Sequence, residues 1–433
     1  MNEINPQEVH TTNATLTSEP AIKAARNAVA QEGIDKLSVD RDLVRELTTA
    51  TSHKLDKWGA ANQKASGRCW IFAGLNSLRG GIMDRTNIKD FELSQTYLYF
   101  YDKLEKANWF LTAVDELKDR EITDRTLTKL MDDPIGDGGQ WSMFVSLVEK
   151  YGVVPKYAMP ETASSEASAM LNRNLQTVLR RAAHQIRAGK SGAQEHALAD
   201  VYRILTANLG LPPTEFQWQY RDKDDNFHRE GTFTPQDFAR EYLPKDLGEY
   251  VCVVNDPRNN YGELYTVDYL GNVAGEKVTY LNAPVEVLRD ATRSAIEDGQ
   301  PVWFGCDTGQ QSDADSGVWA KRLHDYEGLY GVEMGIEKPD RLRLHESLMT
   351  HAMVFTGADI AESGEVTRWR VENSWGTEKG DKGFWTMADD WFDEYVFEIA
   401  VHPSRLPEQY QEALKSAEIT TLPAWDPMGA LAN

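Results

Sequence analysis

Apolar positions in the first 160 residues recur at helical spacing, and beyond residue 249 they fall in short runs bounded by Gly, Pro, Asn and Asp. Ser18 to Glu32 reads as the one helix of the first 60 residues, capped by Ser18 with Pro20 in its first turn. From Cys69 to about Arg79, Trp70, Phe72, Ala73, Leu75 and Leu78 place apolar side chains on nearly every face. A helix apolar all round is a buried one, and Ser66 or Gly67 is positioned to cap it. Further helices are predicted from Gln95 to about Lys106 and from Ser142 to Tyr151, and residues 153–161 read as an extended, proline-punctuated segment.

Composition shifts at 162–168 (Thr-Ala-Ser-Ser-Glu-Ala-Ser), where a charged, helix-favouring region begins. Helices are predicted over 169–190 and 195–208, the latter closed by Gly210-Leu211-Pro212-Pro213. Phe216 to Tyr220 and the polar turn 222–226 predict a hairpin. That turn is not a calcium loop, because its sixth position is Phe227 rather than glycine. Strands are predicted at 250–254, 278–281, 301–306, 351–357, 367–372 and 383–387, with a helix over 283–298. Three regions result: an N-terminal half over 1–163, an insertion over 164–248 and a β-rich half over 249–433. Runs of helices followed by runs of strands make the fold class α+β.

Composition narrows the function classes. The chain has 433 residues, 41% of them hydrophobic and 26% charged, as in a folded protein large enough for several subdomains. Its net charge of −22 disfavours nucleic acid and anionic membrane as general partners. No apolar run is long enough to span a membrane, and the first residues resemble neither a signal nor a transit peptide. Three cysteines, Cys69, Cys252 and Cys306, argue against a disulfide framework. The expectation is a cytoplasmic protein.

The chemistry concentrates at Asn62-Gln63-Lys64-Ala65-Ser66-Gly67-Arg68-Cys69-Trp70. A cysteine following a polar turn and heading a helix is placed where its thiolate is favoured. Gln63 can offer an amide N–H to an oxyanion. Cys252 and Cys306 sit in apolar β-type runs and read as structural. A base is missing locally. Among nine histidines, His351 stands out because Asn373-Ser374-Trp375-Gly376 follows it, and an asparagine can fix an imidazole tautomer. Gly138-Gly139, alone, would read as a turn. Neither a His-Glu-x-x-His run nor a zinc-spaced cluster occurs, so no metal and no cofactor is predicted.

This constellation resembles the papain-like cysteine peptidases. The wording Gln-Lys-Ala-Ser-Gly-Arg-Cys-Trp at 63–70 and His-Ala-Met-Val-Phe-Thr-Gly at 351–357 resembles their bleomycin hydrolase and aminopeptidase C branch. The resemblance implies a two-lobed fold, with a helical lobe, a β-barrel-like lobe and a helical insertion used as an oligomerisation arm. It implies Cys69 as nucleophile, His351 as base, Asn373 as its orienter, Gln63 in the oxyanion site and Trp375 shielding the Asn–His bond. Gly138 and Gly139 would pair with the substrate backbone as an added strand. The apolar tail 422–433 would lie in the cleft, its terminal carboxylate on Asn433, or on Ala432 after trimming, meeting the substrate's free amino group. The function implied is a cytoplasmic cysteine aminopeptidase, a homohexamer acting on peptides with a free N-terminus. An endopeptidase of the same family, a nucleic-acid-binding oligomer and a redox thiol protein are the alternatives.

Overall fold

A computed structural model describes residues 3–430. The N-terminal segment holds four helices, Pro6–Ser18, Pro20–Glu32, Ile34–Ser38 and Arg41–Glu46, where one was predicted. The Pro6–Ser18 helix buries no side chain, so its sequence carries no apolar stripe to read. Ser18 ends that helix, and Glu19 occupies the cap position before the next.

The Cys69–Thr86 helix is the axle of the molecule. Thirteen of its residues are buried, among them Cys69, Trp70, Ile71 and Phe72. It runs seven residues past its predicted end, to an Asn87 in the left-handed conformation that closes helices. Its cap position is Arg68, without a side-chain cap bond. Packed on it are Gln95–Glu116 and Trp141–Tyr151, and Phe144 lies so close to Gly74 that a Cβ there would sit 2.7 Å from the ring.

Ala169–Arg187 and Ala193–Leu209 follow. The second buries Ala193, Ala197, Val201, Leu205 and Leu209, one residue per turn, and both pack on Gln95–Glu116. The hairpin Phe216–Arg221 and Phe227–Phe233 forms with its predicted polar turn.

The remainder builds a 12-stranded sheet. At its centre His351–Ile360 lies antiparallel between Val302–Cys306 and Val366–Glu372, with Phe384–Ala388 beyond. Alternation divides the two faces: Trp303, Ala352 and Val354 join the cluster containing Cys69, whereas Phe304, Met353 and Phe355 face the Val285–Glu297 helix cluster. This is the α+β, papain-like arrangement of a helical lobe against a sheet lobe. Among the described residues no helix is long and apolar enough to cross a membrane.

Candidate active site

Cys69 is the first residue of its helix, so its N–H has no acceptor within the helix. The turn before it is fixed from several sides. Arg68, fully buried, makes a two-pronged bond to Glu161 at 3.2 and 2.9 Å and a third to Ser66 Oγ at 2.9 Å. Gly67 N–H donates to Asp137 at 3.0 Å.

His351 opens its strand, and its Nε2 lies 3.0 Å from Asn373 Oδ1. The same oxygen accepts from Ser374 N–H at 2.8 Å, which fixes the amide's orientation. Because Asn373 offers an acceptor, Nε2 carries the proton, leaving Nδ1 unprotonated in the neutral ring. Trp375 lies obliquely over His351, ring centroids 5.0 Å apart, and remains 37% exposed. The cysteine helix packs on the histidine strand, where the Ala352 backbone favours the Cys69 thiolate.

Gln63 joins these parts. Its N–H donates to Ser374 O at 2.8 Å, Asn62 bridges Trp375, and Gly376 N–H donates to Ala61 O at 3.0 Å. Its side-chain Oε1 accepts from Ser374 Oγ at 2.5 Å, and one amide hydrogen goes to Ser66 O at 2.5 Å. An amide carries two, so the second has no partner among the described residues.

Burial is the largest electrostatic effect. It pushes the Cys69 thiol up to about 12, against the backbone N–H groups of Ala352, Trp70 and Cys69, which favour the thiolate. It pushes His351 down to about 4, against the hydrogen bond its Nε2–H donates to Asn373. Both directions favour an uncharged resting pair over separated charges. Burial thus keeps the thiol and the imidazole neutral in the resting protein.

Gly139 lies against the ring of Trp70, the residue after Cys69. A Cβ on Gly139 would lie 2.4 Å from the Trp70 ring, whose Nε1–H donates to Asp137 O at 2.8 Å. Asp137 accepts from Tyr99, Asn172, Ser168, Gly67 and Lys103, and despite its burial the Lys103 ammonium and these donors hold it well below the usual carboxylate range. Lys106 Nζ bonds Gly138 O at 2.5 Å.

The tail returns to the same place. Ile419–Leu422 adds a parallel edge strand beside Leu264–Val267, and Ala430 O accepts from Gln140 Nε2 at 2.8 Å. Ala432 and Asn433 lie outside the described residues.

Two supporting groups escape sequence reasoning. Glu372 lies at the end of the Val366–Glu372 strand, next to Asn373. It accepts from Arg79 at 2.5 Å, Asn76 at 2.8 Å and Trp58 at 2.8 Å, tying the cysteine helix to the asparagine loop. A carboxylate at the end of a predicted strand, immediately before Asn373, was its one signal. Asp137 stood beside the glycine pair without a visible partner.

Comparison with known proteins places the chain among peptidases. A family model described as "Peptidase C1-like family" matches residues 3–429. Bleomycin hydrolase from Homo sapiens is 40% identical over 451 residues, covering 99% of each chain. Aminopeptidase C from Listeria monocytogenes is 43% identical over 390 residues, covering 88% of each. The crystal structure of pepw from Lactobacillus rhamnosis HN001 superposes with a TM-score of 0.96 at 40% identity, covering 99% of each chain.

Proposed function

For a chain that belongs to the peptidase C1-like family and is a cysteine aminopeptidase, we propose a thiolate acyl-transfer cycle run by Cys69, His351, Asn373 and Gln63. Cys69 Sγ passes its proton to His351 Nδ1 as it attacks the carbonyl carbon of the peptide bond. The carbonyl oxygen, now an oxyanion, takes the second Gln63 amide hydrogen and the Cys69 N–H. His351 returns the proton to the departing amine, and a thioester remains. Water then gives a proton to His351 and its hydroxyl to the acyl carbon, and the returning proton regenerates the thiol. Asn373 keeps the imidazole oriented throughout.

The observation that carries this reading is the joint placement of three parts: Asn373 Oδ1 at 3.0 Å from His351 Nε2, the Cys69 helix packed on the His351 strand, and Gln63 zipped to the Asn373 loop. Gly138 and Gly139 bind the substrate backbone as an added strand. Trp375 shields the Asn373–His351 bond and lines the substrate cleft beside it. The tail limits substrates to those with a free N-terminus, with Asn433 or Ala432 supplying the terminal carboxylate. The bond from Gln140, next to the glycine pair, to Ala430 supports that role. The tail thus acts as a ruler admitting only the N-terminal residue.

The enzyme works in the cytoplasm as a homohexamer joined through the 164–248 arm. Three unpaired cysteines suit a reducing compartment, and the exposed apolar Met170, Tyr202, Leu211 and Phe227 of that arm suit an assembly interface. The charge of −22 disfavours nucleic acid as a partner.

The test compares wild-type, Cys69→Ala and a form lacking the last four residues on one peptide, free or acetylated at its N-terminus. Wild-type should cut only the free peptide, Cys69→Ala neither, and the shortened form should cut within the acetylated one. Internal cleavage of the acetylated peptide by wild-type would replace the ruler reading with an endopeptidase. Full activity of Cys69→Ala would refute the mechanism.

A further inference from the structure

We propose that Gln140 is the positioning residue that registers the C-terminal tail against the substrate-binding edge, with Tyr280 setting its orientation. This rests on the tail reading above and names the contact that would set how much of a peptide fits.

The tail is held at successive points. Asp268 N–H donates to Leu422 O at 2.9 Å, and the Arg125 guanidinium lies 4.1 Å from the Trp425 ring centroid. Asp426 pairs with Arg258 at 2.8 Å and caps the turn through Met428 N–H at 2.9 Å. The Leu422 and Asp426 contacts hold the tail to the sheet lobe, and Arg125 holds Trp425 from the N-terminal half. Gln140 belongs to the helical lobe, immediately after Gly138-Gly139 and at the cap position of Trp141–Tyr151. Its 2.8 Å bond to Ala430 O therefore ties the tail to the residue that follows the glycine pair, close to the end of the described tail.

Hydrogen-bond roles leave one arrangement. A backbone carbonyl only accepts, so the Gln140 NH2 must face Ala430. Its Oε1 then faces Tyr280, whose hydroxyl must donate. Both side chains are buried, so neither partner is replaced by water at no cost. The glycine edge and the tail are thus separated by a single residue of rigid backbone. Where Ala430 stands relative to Gly139 decides where the residues beyond it end.

Gln140→Glu keeps the acceptor for Tyr280 but turns an oxygen toward the Ala430 carbonyl. Gln140→Met removes both polar atoms at similar length. Each would be made in the full chain and in the form lacking the last four residues. The probes are a peptide with a free or acetylated N-terminus, with products read by mass spectrometry, and an aminoacyl-amide reporter for kinetics. In the full chain both variants should raise KM for the reporter about tenfold with a smaller change in kcat, the scale of one lost buried bond. They should also release products longer than one residue and cut within the acetylated peptide. In the shortened form the same substitutions should add nothing to internal cleavage.

If either folded variant still releases single residues only, with wild-type KM, while the shortened form cuts internally, Gln140 does not register the tail and the ruler reading survives. If the shortened form gains no internal cleavage, the ruler reading fails and this proposal fails with it. Lost activity without new products would mark Gln140 as merely structural and would also overturn the proposal.

Discussion

The buried Arg79–Glu372 pair makes the sharpest test of how the cysteine helix is tied to the asparagine loop. Both side chains are at most 1% exposed, and three donors converge on the carboxylate. In Glu372→Ala, Arg79 keeps only the Gly59 carbonyl at 2.8 Å, while its Nε already has no partner among the described residues. Breaking one half of a buried ion pair costs about 3–5 kcal/mol. The orphaned Trp58 and Asn76 donors put the expected loss near the upper end, about 5 kcal/mol. Replacing both members with apolar side chains, Arg79→Met with Glu372→Leu, leaves no charge unpaired and should recover most of that loss. Urea unfolding followed by tryptophan fluorescence measures all three proteins, and the single variants Arg79→Met and Glu372→Leu complete the double-mutant cycle that isolates the coupling. Well below the melting temperature, kcat of Glu372→Ala should fall at least about tenfold, since an ångström of drift in Asn373 misplaces His351. A loss under about 1 kcal/mol for Glu372→Ala, or a double variant no more stable than the single one, would refute the reasoning.

Two buried groups give opposite pH dependences over nearly the same window. His351 falls to about 4 in the fold from an unfolded value of 6.5, so unfolding takes up a proton and stability drops as pH falls from 6.5 to 4. Glu398 is pushed by burial from 4.5 up to about 7, so its contribution is present below 4.5 and lost as pH rises to 7. Unfolding midpoints between pH 4 and 7 should therefore show the low-pH loss relieved in His351→Gln and the loss on rising pH relieved in Glu398→Gln. Slopes unchanged by either substitution would contradict these assignments. Gly139→Ala places a methyl 2.4 Å from the Trp70 ring and should cost about 1–3 kcal/mol, with a raised KM. A variant with wild-type melting and KM would mean that the two segments have room to part.

What the sequence disclosed and what it hid follow from the range of the interactions involved. The Cys69 helix declared itself through Trp70, Ile71, Phe72 and Leu75, because full burial leaves an apolar mark on every face. The central strands did so through their short apolar runs. The Pro6–Ser18 helix did not, since a helix that buries nothing has no periodicity to read. Its Pro6 at the first position and Asn5 cap were the available signals. The catalytic candidates were legible through local wording alone. Their supports were not: Glu372 lies 296 positions from Asn76 in sequence, and Gln140 lies 290 from Ala430. No spacing rule reaches so far.

That difference in range explains how the site is built. The residues proposed to run the reaction sit at ends of elements: Cys69 at the head of its helix, His351 at the start of its strand, Asn373 just past another strand's end. Element ends expose unpaired backbone donors, which chemistry can use, but they are also where chains fray. Each end here is held by a buried group from the other lobe or segment. Arg68 is locked by Glu161, the turn before Cys69 by Asp137, and the Asn373 loop by Gln63 and by Glu372 with Arg79. Buried charges are expensive, so a protein seeking stability alone would gain by filling these positions with apolar side chains. Their bonds are directional, however, and an apolar contact of equal strength would tolerate the ångström of sliding that acyl transfer does not. The cost in stability and the fixed geometry of the site are two consequences of the same residues.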